Sequence, residues 1–413
     1  MAAALAGAAA SATGVMRRAF YRGRRLSRAP AIADLRAMAR RRLPFFILEY
    51  LESGAGDETT LTANADALAS GRWVPRTLRS LPAVDIGTQF NGADSRAPMV
   101  IGPTGFNGLL WHDADVALAR AAARQGIPFC LATLANASIE RVAEATREWP
   151  QAERWLQLYL FKDRGIALEL MQRARQNGFS TLVLTTDAVV YGKRDWESRN
   201  YRAFKKPDWR NWLALAGHPR WLWNVARPGL PRFENLDAVL GRQTHALAAA
   251  GWIERNMDTG IGWDDLDWLR ARWDGRLLVK GILCADDAAR AFGRGADGIV
   301  VSNHGGRQLQ GSIASLEALP PIVERVGGRG DIFLDSGIRS GQDILRALRL
   351  GACGVLLGRA ALYGVAAGGE AGACRALDIL CEETGNGLAQ LGCGSLARLN
   401  DVGLLLPPSR FMP

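Results

Sequence analysis

Eight short apolar runs, each followed by a stretch of mixed polarity, set the rhythm of this chain. They are APMVIGP (97–103), IPFCLAT (127–133), RWLQLYL (154–160), STLVLTTD (180–187), RLLVKG (276–281), DGIVVSN (297–303), DIFLDSG (331–337) and CGVLLGR (353–359). They show little polar/apolar alternation, as parallel strands buried on both faces require. The stretches between them read as helices: DADVALARAAARQG, DRGIALELMQRARQNG, CADDAARAFGRG and SGQDILRALRLG, each ending at a glycine stop. Eight β-then-α units in series predict a (β/α)8 barrel. An open doubly wound sheet is the alternative, disfavoured because no GxGxxG follows the first run.

The fourth unit breaks the rhythm. Between Asp187 and the helix expected near Trp263 lie 75 residues, where a βα loop usually has about two to six. Residues 205–233 hold Trp209, Trp212, Trp221 and Trp223 with Lys205, Lys206, Arg210, Arg220, Arg227 and Arg232, and a single acid, Asp208. The ends read as a disordered basic arm over 1–30 and a tail over 401–413, leaving a barrel over 31–400. The arm runs from Ala/Gly-rich to basic, the reverse of a secretory signal.

Composition narrows the classes. At 413 residues with 48% hydrophobic and 22% charged residues, the chain is ordinarily globular and can build a sizeable core. The net charge of +10 suits an anionic ligand or an anionic membrane. Zinc-finger spacing and a Lys/Arg-aromatic repeat are both missing, so neither a nucleic-acid partner nor a metal is expected. The six cysteines have no CxxC spacing and several sit in apolar runs, pointing to reduced thiols and a cytoplasmic protein.

A barrel of this kind carries its chemistry at the C-terminal ends of the strands. Taken in order, those ends supply Pro103, Thr104 and Gly105; Thr133; Gln157 and Tyr159; Thr185 and Asp187 with Arg194 beyond; Lys280; Ser302 and His304; Asp335, Ser336 and Gly337; and Gly358 with Arg359. Singly, each could be a cap, a turn or a solvated charge. A phosphate commonly rests on loops seven and eight of such barrels, and Gly337, Arg339, Gly358 and Arg359 fit that task, so a phosphorylated cofactor is implied. A buried Lys280 facing it suits an anionic ring.

The segments LQLY, LTTD, LVKG, VSNHGGRQL, DSGIRSG and LLGR, in order over about residues 32–400, resemble the FMN-dependent α-hydroxy-acid dehydrogenase/oxidase family. GPTGFNGLLW and TTDAVVYGKRD are most similar to its (S)-mandelate dehydrogenase branch. The resemblance implies FMN and oxidation of an L-2-hydroxy acid, mandelate- or lactate-like, to the 2-oxo acid. It implies His304 as the base, with Asp187 holding the imidazolium. Arg194 and Arg307 would grip the substrate carboxylate, with Tyr50 adding a hydrogen bond and Tyr159 lying near the substrate hydroxyl. Gly305 and Gly306 would leave room for backbone beside the ligand.

By the same matching Pro103, Thr104 and Gly105 face the flavin. Gln157 and Thr185 bond its edge, Lys280 sits by N1/O2, and Ser302 flanks the ring or ribityl chain. Asp335, beside Ser336, takes ribityl hydroxyls, and Gly337, Arg339, Gly358 and Arg359 hold the phosphate. The chain departs from the family at Ala132, where a serine is common and neighbouring Thr133 is the candidate replacement, and at Gly56 and Gln310. A large substrate side chain is expected because Leu134 and the small Gly105 leave apolar space. The resemblance also implies that 205–233 lies on an anionic membrane surface at the inner membrane, that electrons pass to a quinone, and that the protein is a homo-oligomer, a tetramer. The rivals are an oxidase that uses oxygen and a catalytically silent flavin-binding protein.

Overall fold

The computed structural model describes residues 23, 25–90, 92–196, 199 and 209–406, so most of the expected N-terminal arm, the end of the tail, and Lys205, Lys206 and Asp208 lie outside it. Each of the eight predicted runs forms a strand: β1 (Met99–Ile101), β2 (Phe129–Ala132), β3 (Arg154–Leu158), β4 (Thr181–Thr185), β5 (Arg276–Ile282), β6 (Gly298–Val301), β7 (Asp331–Leu334) and β8 (Gly354–Leu357). They close into one barrel with parallel pairings from β1 round to β8 and back, such as Ile101 with Phe129 and Val355 with Met99. The expected (β/α)8 barrel is thus the fold.

Why the barrel closes is visible in its interior. One buried residue from each strand meets at the centre: Val100, Cys130, Trp155, Val183, Leu278, Val300, Phe333 and Leu356. Phe90, from the hairpin Thr88–Phe90/Ala93–Ser95, completes that cluster. Its ring lies 5.0 Å from Phe333 and 6.4 Å from Trp155, and Arg276 at the start of β5 donates to the Phe90 carbonyl at 2.7 Å. The N-terminal end of the barrel is therefore plugged, and the open mouth is at the other end.

The outer helices are α1 (Ala114–Gln125), α2 (Ile139–Ala145), α3 (Arg164–Gln176), α4 (Trp263–Arg270), α5 (Ala285–Gly293), α6 (Ser315–Val326), α7 (Gly341–Arg349) and α8 (Arg359–Gln390). α8 is interrupted at Gly368–Gly369. Three N-terminal helices, Ile32–Arg42, Phe45–Glu52 and Thr59–Ser70, precede the barrel. The first of them packs along α8.

The insertion after β4 has two parts. Trp209–Ala216 and Pro219–Ala226 are helical, and the helix Ala246–Asn256 lies over the mouth. The whole is rooted on the loops after β1 and β2. Trp221 Nε1 donates to Leu109 O at 2.8 Å, Asn136 Nδ2 to Arg232 O at 2.7 Å, and the Ile139 amide to Asn235 Oδ1 at 3.0 Å.

Candidate active site

A cavity of about 390 Å³ opens at the barrel mouth. Its walls bring together Tyr50, Pro103, Thr104, Gly105, Gln157, Tyr159, Arg194, Lys280, His304, Arg307, Asp335, Ser336, Gly337, Arg339, Gly358 and Arg359, which are most of the residues singled out from sequence.

His304 stands at the centre. Its Nδ1 lies 2.8 Å from Asp187 Oδ1, which leaves Nε2 as the ring nitrogen for the cavity. Burial holds the imidazole below its usual pKa, and Lys280 adds to this, while Asp187 pulls the other way. Burial would raise the Asp187 carboxyl, but Lys280 and His304 outweigh it and hold it below the usual range. Burial disfavours a charged Lys280, yet Asp187 and Asp335 keep its pKa raised. Lys280 Nζ is 3.1 Å from Asp335 Oδ2 and 3.8 Å from Asp187 Oδ2. The resting state is a neutral imidazole beside a carboxylate and a fixed cation, which is what a general base needs.

The backbone carrying His304 is strained. His304, Gly305 and Gly306 all lie in the left-handed region, with φ of 58°, 67° and 73°. Three side-chain oxygens hold them: Ser302 Oγ takes the His304 amide at 3.0 Å, Ser336 Oγ that of Gly305 at 2.9 Å, and Asn303 Oδ1 that of Gly306 at 3.0 Å. Strain of this kind persists only where its surroundings over-determine it. Asn303 is itself locked to Asn64 by two reciprocal amide bonds of 2.7 and 2.9 Å, a pairing the sequence reading missed.

Gly305 lines the cavity with its backbone, as expected, while Gly306 stands behind it. A Cβ at Gly305 would meet Arg359 Nη1 at 2.9 Å, and one at Gly306 the Leu61 backbone at 2.7 Å. A side chain at either position would therefore run into protein.

Three other expectations change. Thr133 is fully buried and does not reach the cavity wall: its hydroxyl donates to Gln157 O at 2.7 Å and accepts from the Tyr159 amide at 3.1 Å. Ser302 also stands behind the wall, donating to Asp335 Oδ2 at 2.6 Å and accepting from Lys280 at 3.0 Å. Gly105 leaves no pocket space, because a Cβ there would meet Leu134 O at 2.9 Å. The departures at Gly56 and Gln310 explain each other: a side chain at 56 would collide with Gln310.

Arg307 donates to Ser53 O at 2.8 Å and its guanidinium lies 5.5 Å from the Tyr50 ring centre. Tyr50 in turn donates to Gly105 O at 3.1 Å. Arg359 spends four of its N–H groups on the carbonyls of Leu51, Glu52, Ser53 and Gly305. Burial, then Arg307 and Arg339, press its pKa down to about 9, a sign of positive charge gathered without enough counter-charge.

Sequence reasoning missed part of the wall. Phe106, Phe233 and Tyr191 line it, with Ala246, Leu247, Ala250, Ile253 and Glu254 from one face of the insertion helix. Their spacing was the available signal, since positions 246, 250, 253 and 254 share a helical face.

The sequence profile of the FMN-dependent dehydrogenase family matches residues 39–404. The chain belongs to that family. This FMN-dependent dehydrogenase is 40% identical over 371 residues to the L-lactate dehydrogenases of Yersinia pestis (strain Pestoides F) and Yersinia pseudotuberculosis (strain YPIII), covering 90% of this chain and 96% of each relative. The crystal structure of the monotopic membrane protein (S)-mandelate dehydrogenase superposes with a TM-score of 0.85 at 40% identity, covering 91% of this chain and 99% of that one. A mandelate oxidase with (S)-4-hydroxymandelic acid superposes at 0.78 with 34% identity, covering 92% and 99%. The enzyme is an FMN-dependent oxidoreductase of L-2-hydroxy acids.

The cavity fits FMN on its own evidence. Gln157 Nε2 and Thr185 Oγ1 are buried with no hydrogen-bond partner among the described residues. Gln157 lines the cavity, and Thr185, just behind the wall, pairs in register with Lys280, so a heterocycle edge lying there would offer both a partner. At the N-terminus of α8 a Cβ on Gly358 would meet nothing nearer than Thr104 Cγ2 at 4.0 Å. That open cradle, a helix N-terminus with Arg339 and Arg359 alongside, suits a phosphate.

The outer part of the insertion presents Trp209 and Trp223, each 67% exposed, and Leu213 at 61%, with the Arg227 guanidinium 4.2 Å from the Trp223 ring centre. Trp221 departs from the expected surface cluster, being buried at 4% exposure. No helix among the described residues is long and apolar enough to cross a membrane.

Proposed function

We propose that this enzyme takes an L-2-hydroxy acid with a bulky apolar side chain, of the mandelate kind, and passes its electrons to a quinone while lying peripherally on an anionic membrane. The observation that supports the chemistry is the 2.8 Å His304–Asp187 pair, with His304 on the cavity wall and Asp187 behind it. His304 Nε2 receives the proton that leaves the substrate, from C2 or from its hydroxyl, and Asp187 stabilises the imidazolium formed. Arg307 and Arg194 grip the substrate carboxylate, a task for which a planar guanidinium offers two parallel donors. Tyr50 adds a hydrogen bond by turning its O–H from Gly105 O to the carboxylate. Burial raises the Tyr159 pKa, so its hydroxyl stays protonated and faces the substrate hydroxyl.

FMN, when bound, supplies the two-electron acceptor. Gln157 and Thr185 would hold its ring edge, Lys280 would sit beside the region that gains negative charge, Asp335 would take the ribityl hydroxyls, and Gly337, Arg339, Gly358 and Arg359 would take the phosphate.

The choice of a large substrate rests on the apolar wall of Phe106, Leu134, Phe233, Leu247 and Ala250. Sequence identity does not separate the readings, since the L-lactate dehydrogenases and the (S)-mandelate dehydrogenase are both 40% identical. The membrane reading rests on Trp209, Trp223 and Leu213 beside Arg227: tryptophan favours the interface, and each cation gains about 1 kcal/mol near an anionic leaflet. The homotetramer belongs to the same reading and is checked by light scattering.

The test has two arms. Anaerobic flavin bleaching should give a higher kcat/KM with L-mandelate than with L-lactate or glycolate; the reverse order overturns the substrate assignment. The full chain should sediment with anionic vesicles at low salt, a version with 205–233 replaced by a Gly/Ser linker should not, and a quinone analogue should reoxidise the flavin faster than oxygen. A chain that stays in the supernatant, with oxygen the faster acceptor, makes the enzyme an oxidase.

A further inference from the structure

The loop after β1, which walls the cavity with Pro103, Thr104 and Gly105, turns through a residue poorly suited to it. Phe106 sits in the left-handed region, φ 60° and ψ 28°, where a bulky side chain is strained. Something must hold it. The Phe106 amide donates to Leu134 O at 3.0 Å, and its ring packs 5.8 Å from Tyr50 and 5.5 Å from Phe233. The next residue, Asn107, is buried and turns its side-chain amide back on the loop: Nδ2 lies 2.9 Å from both Thr104 O and Thr104 Oγ1. What orients that amide is Asp115, in the first turn of α1, whose Oδ1 accepts from Asn107 Nδ2 at 2.7 Å.

Asp115 is 2% exposed and has no part in the chemistry proposed above. Its other oxygen accepts the backbone amides of Asn136 at 2.7 Å and Ala137 at 3.1 Å, in the loop after β2. Asn136 closes the circuit, with Oδ1 accepting from the Gly108 amide at 2.7 Å and Nδ2 donating to Arg232 O, also at 2.7 Å. One buried carboxylate thus fastens the loops after β1 and β2 and, through Asn136, the root of the insertion. Burial pushes its pKa up to about 6, against the hydrogen bonds from Asn107, Asn136 and Ala137. A carboxylate kept there despite that cost has a task a neutral residue would not perform.

We propose that Asp115 is a positioning residue for the cofactor: acting through Asn107, it sets Thr104 and Gly105 at the height the flavin ring requires. The inference rests on the reading of the cavity as the FMN site. Asparagine at 115 cannot substitute. With its oxygen kept on the two backbone amides, it turns an NH2 toward the NH2 of Asn107. If Asn107 then flips, it turns its oxygen toward the Thr104 carbonyl. In the first case the amide that holds Thr104 loses its anchor, and in the second its bond to the Thr104 carbonyl is lost.

The test compares Asp115→Asn and Asn107→Ala with the wild-type holoenzyme. The readouts are the FMN dissociation constant of the stripped protein, the midpoint potential of the bound flavin, and Tm. Losing a charge-assisted hydrogen bond at a ligand-bearing loop should weaken FMN by about tenfold or more and displace the potential in both variants. A merely structural role would lower Tm alone. If Asp115→Asn fails to fold, Asn107→Ala decides, since it leaves Asp115 its two backbone bonds. FMN affinity within twofold of wild type and an unmoved potential in the folded variants overturn the positioning role. A wild type that binds no FMN overturns the reading of the cavity instead.

Discussion

Asp187→Asn separates holding the imidazole from charging it. Two oxygens matter: Oδ1 at 2.8 Å from His304 Nδ1, and Oδ2 at 3.8 Å from Lys280 Nζ. Asparagine can keep an oxygen toward His304, but then its NH2 faces the Lys280 cation. Turned the other way, the NH2 donates to Nδ1 and the proton moves to Nε2, which can no longer accept. In the first case the loss is that of a charge-assisted hydrogen bond, about 1.5–3 kcal/mol, or roughly 10- to 150-fold in rate. In the second the base is gone, about 10²- to 10⁴-fold. The assay is anaerobic stopped-flow reduction of the flavin across pH. In wild type, kcat/KM should rise with pH to a plateau, because the base must be neutral, and the midpoint should lie below 6.5, since burial holds His304 down. Asp187 raises the His304 pKa, so in the variant that midpoint moves lower still while the plateau falls. A plateau within threefold of wild type and an unmoved midpoint would falsify the pairing as the working element.

Other outcomes follow from the same contacts. His304→Ala should lose at least about 10²- to 10⁴-fold in flavin reduction while FMN stays bound; near-normal reduction would assign the base to another group. Arg307→Lys keeps the charge but loses the fork and the position over Tyr50, so kcat/KM should fall far more than for lysine at exposed Arg147; equal values would remove Arg307 from carboxylate binding. Trp221→Ala should cost about 3–5 kcal/mol of stability, read as a lowered Tm, whereas Trp223→Ala should leave Tm unchanged and weaken vesicle binding; the opposite pattern would refute the division of the insertion into root and outer face.

The barrel was legible because its strands are buried on both faces, so RLLVKG and CGVLLGR announce themselves without any partner. The gathering of His304, Asp187 and Lys280 was legible for a related reason: strand ends of one barrel share one rim. What was not legible is which of two neighbours faces the cavity. Successive strand residues point to opposite sides, so Ala132 and Leu134 reach the wall while Thr133 between them turns to Gln157, and only the pairing register decides. Gly105 misled in another way. Its smallness accommodates Leu134, a contact between loops 29 residues apart that no local pattern records. The tryptophans of the insertion looked alike in sequence. Trp221 is buried with its Nε1 on the Leu109 carbonyl, whereas Trp223 is exposed.

The grip of Arg359 on Leu51, Glu52 and Ser53 joins positions 306 to 308 residues apart. On a ribosome adding roughly 5–20 residues per second, the helix carrying Tyr50 emerges about 15 to 60 seconds before the arginine that fastens it. A nascent chain finished as far as α7 already holds His304, Asp187 and Lys280, and can already tie Tyr50 to Gly105 O and Ser53 O to Arg307, but it lacks the bonds that Arg359 adds. The wall made first is thus fastened in two stages, and its last ties wait for the start of α8.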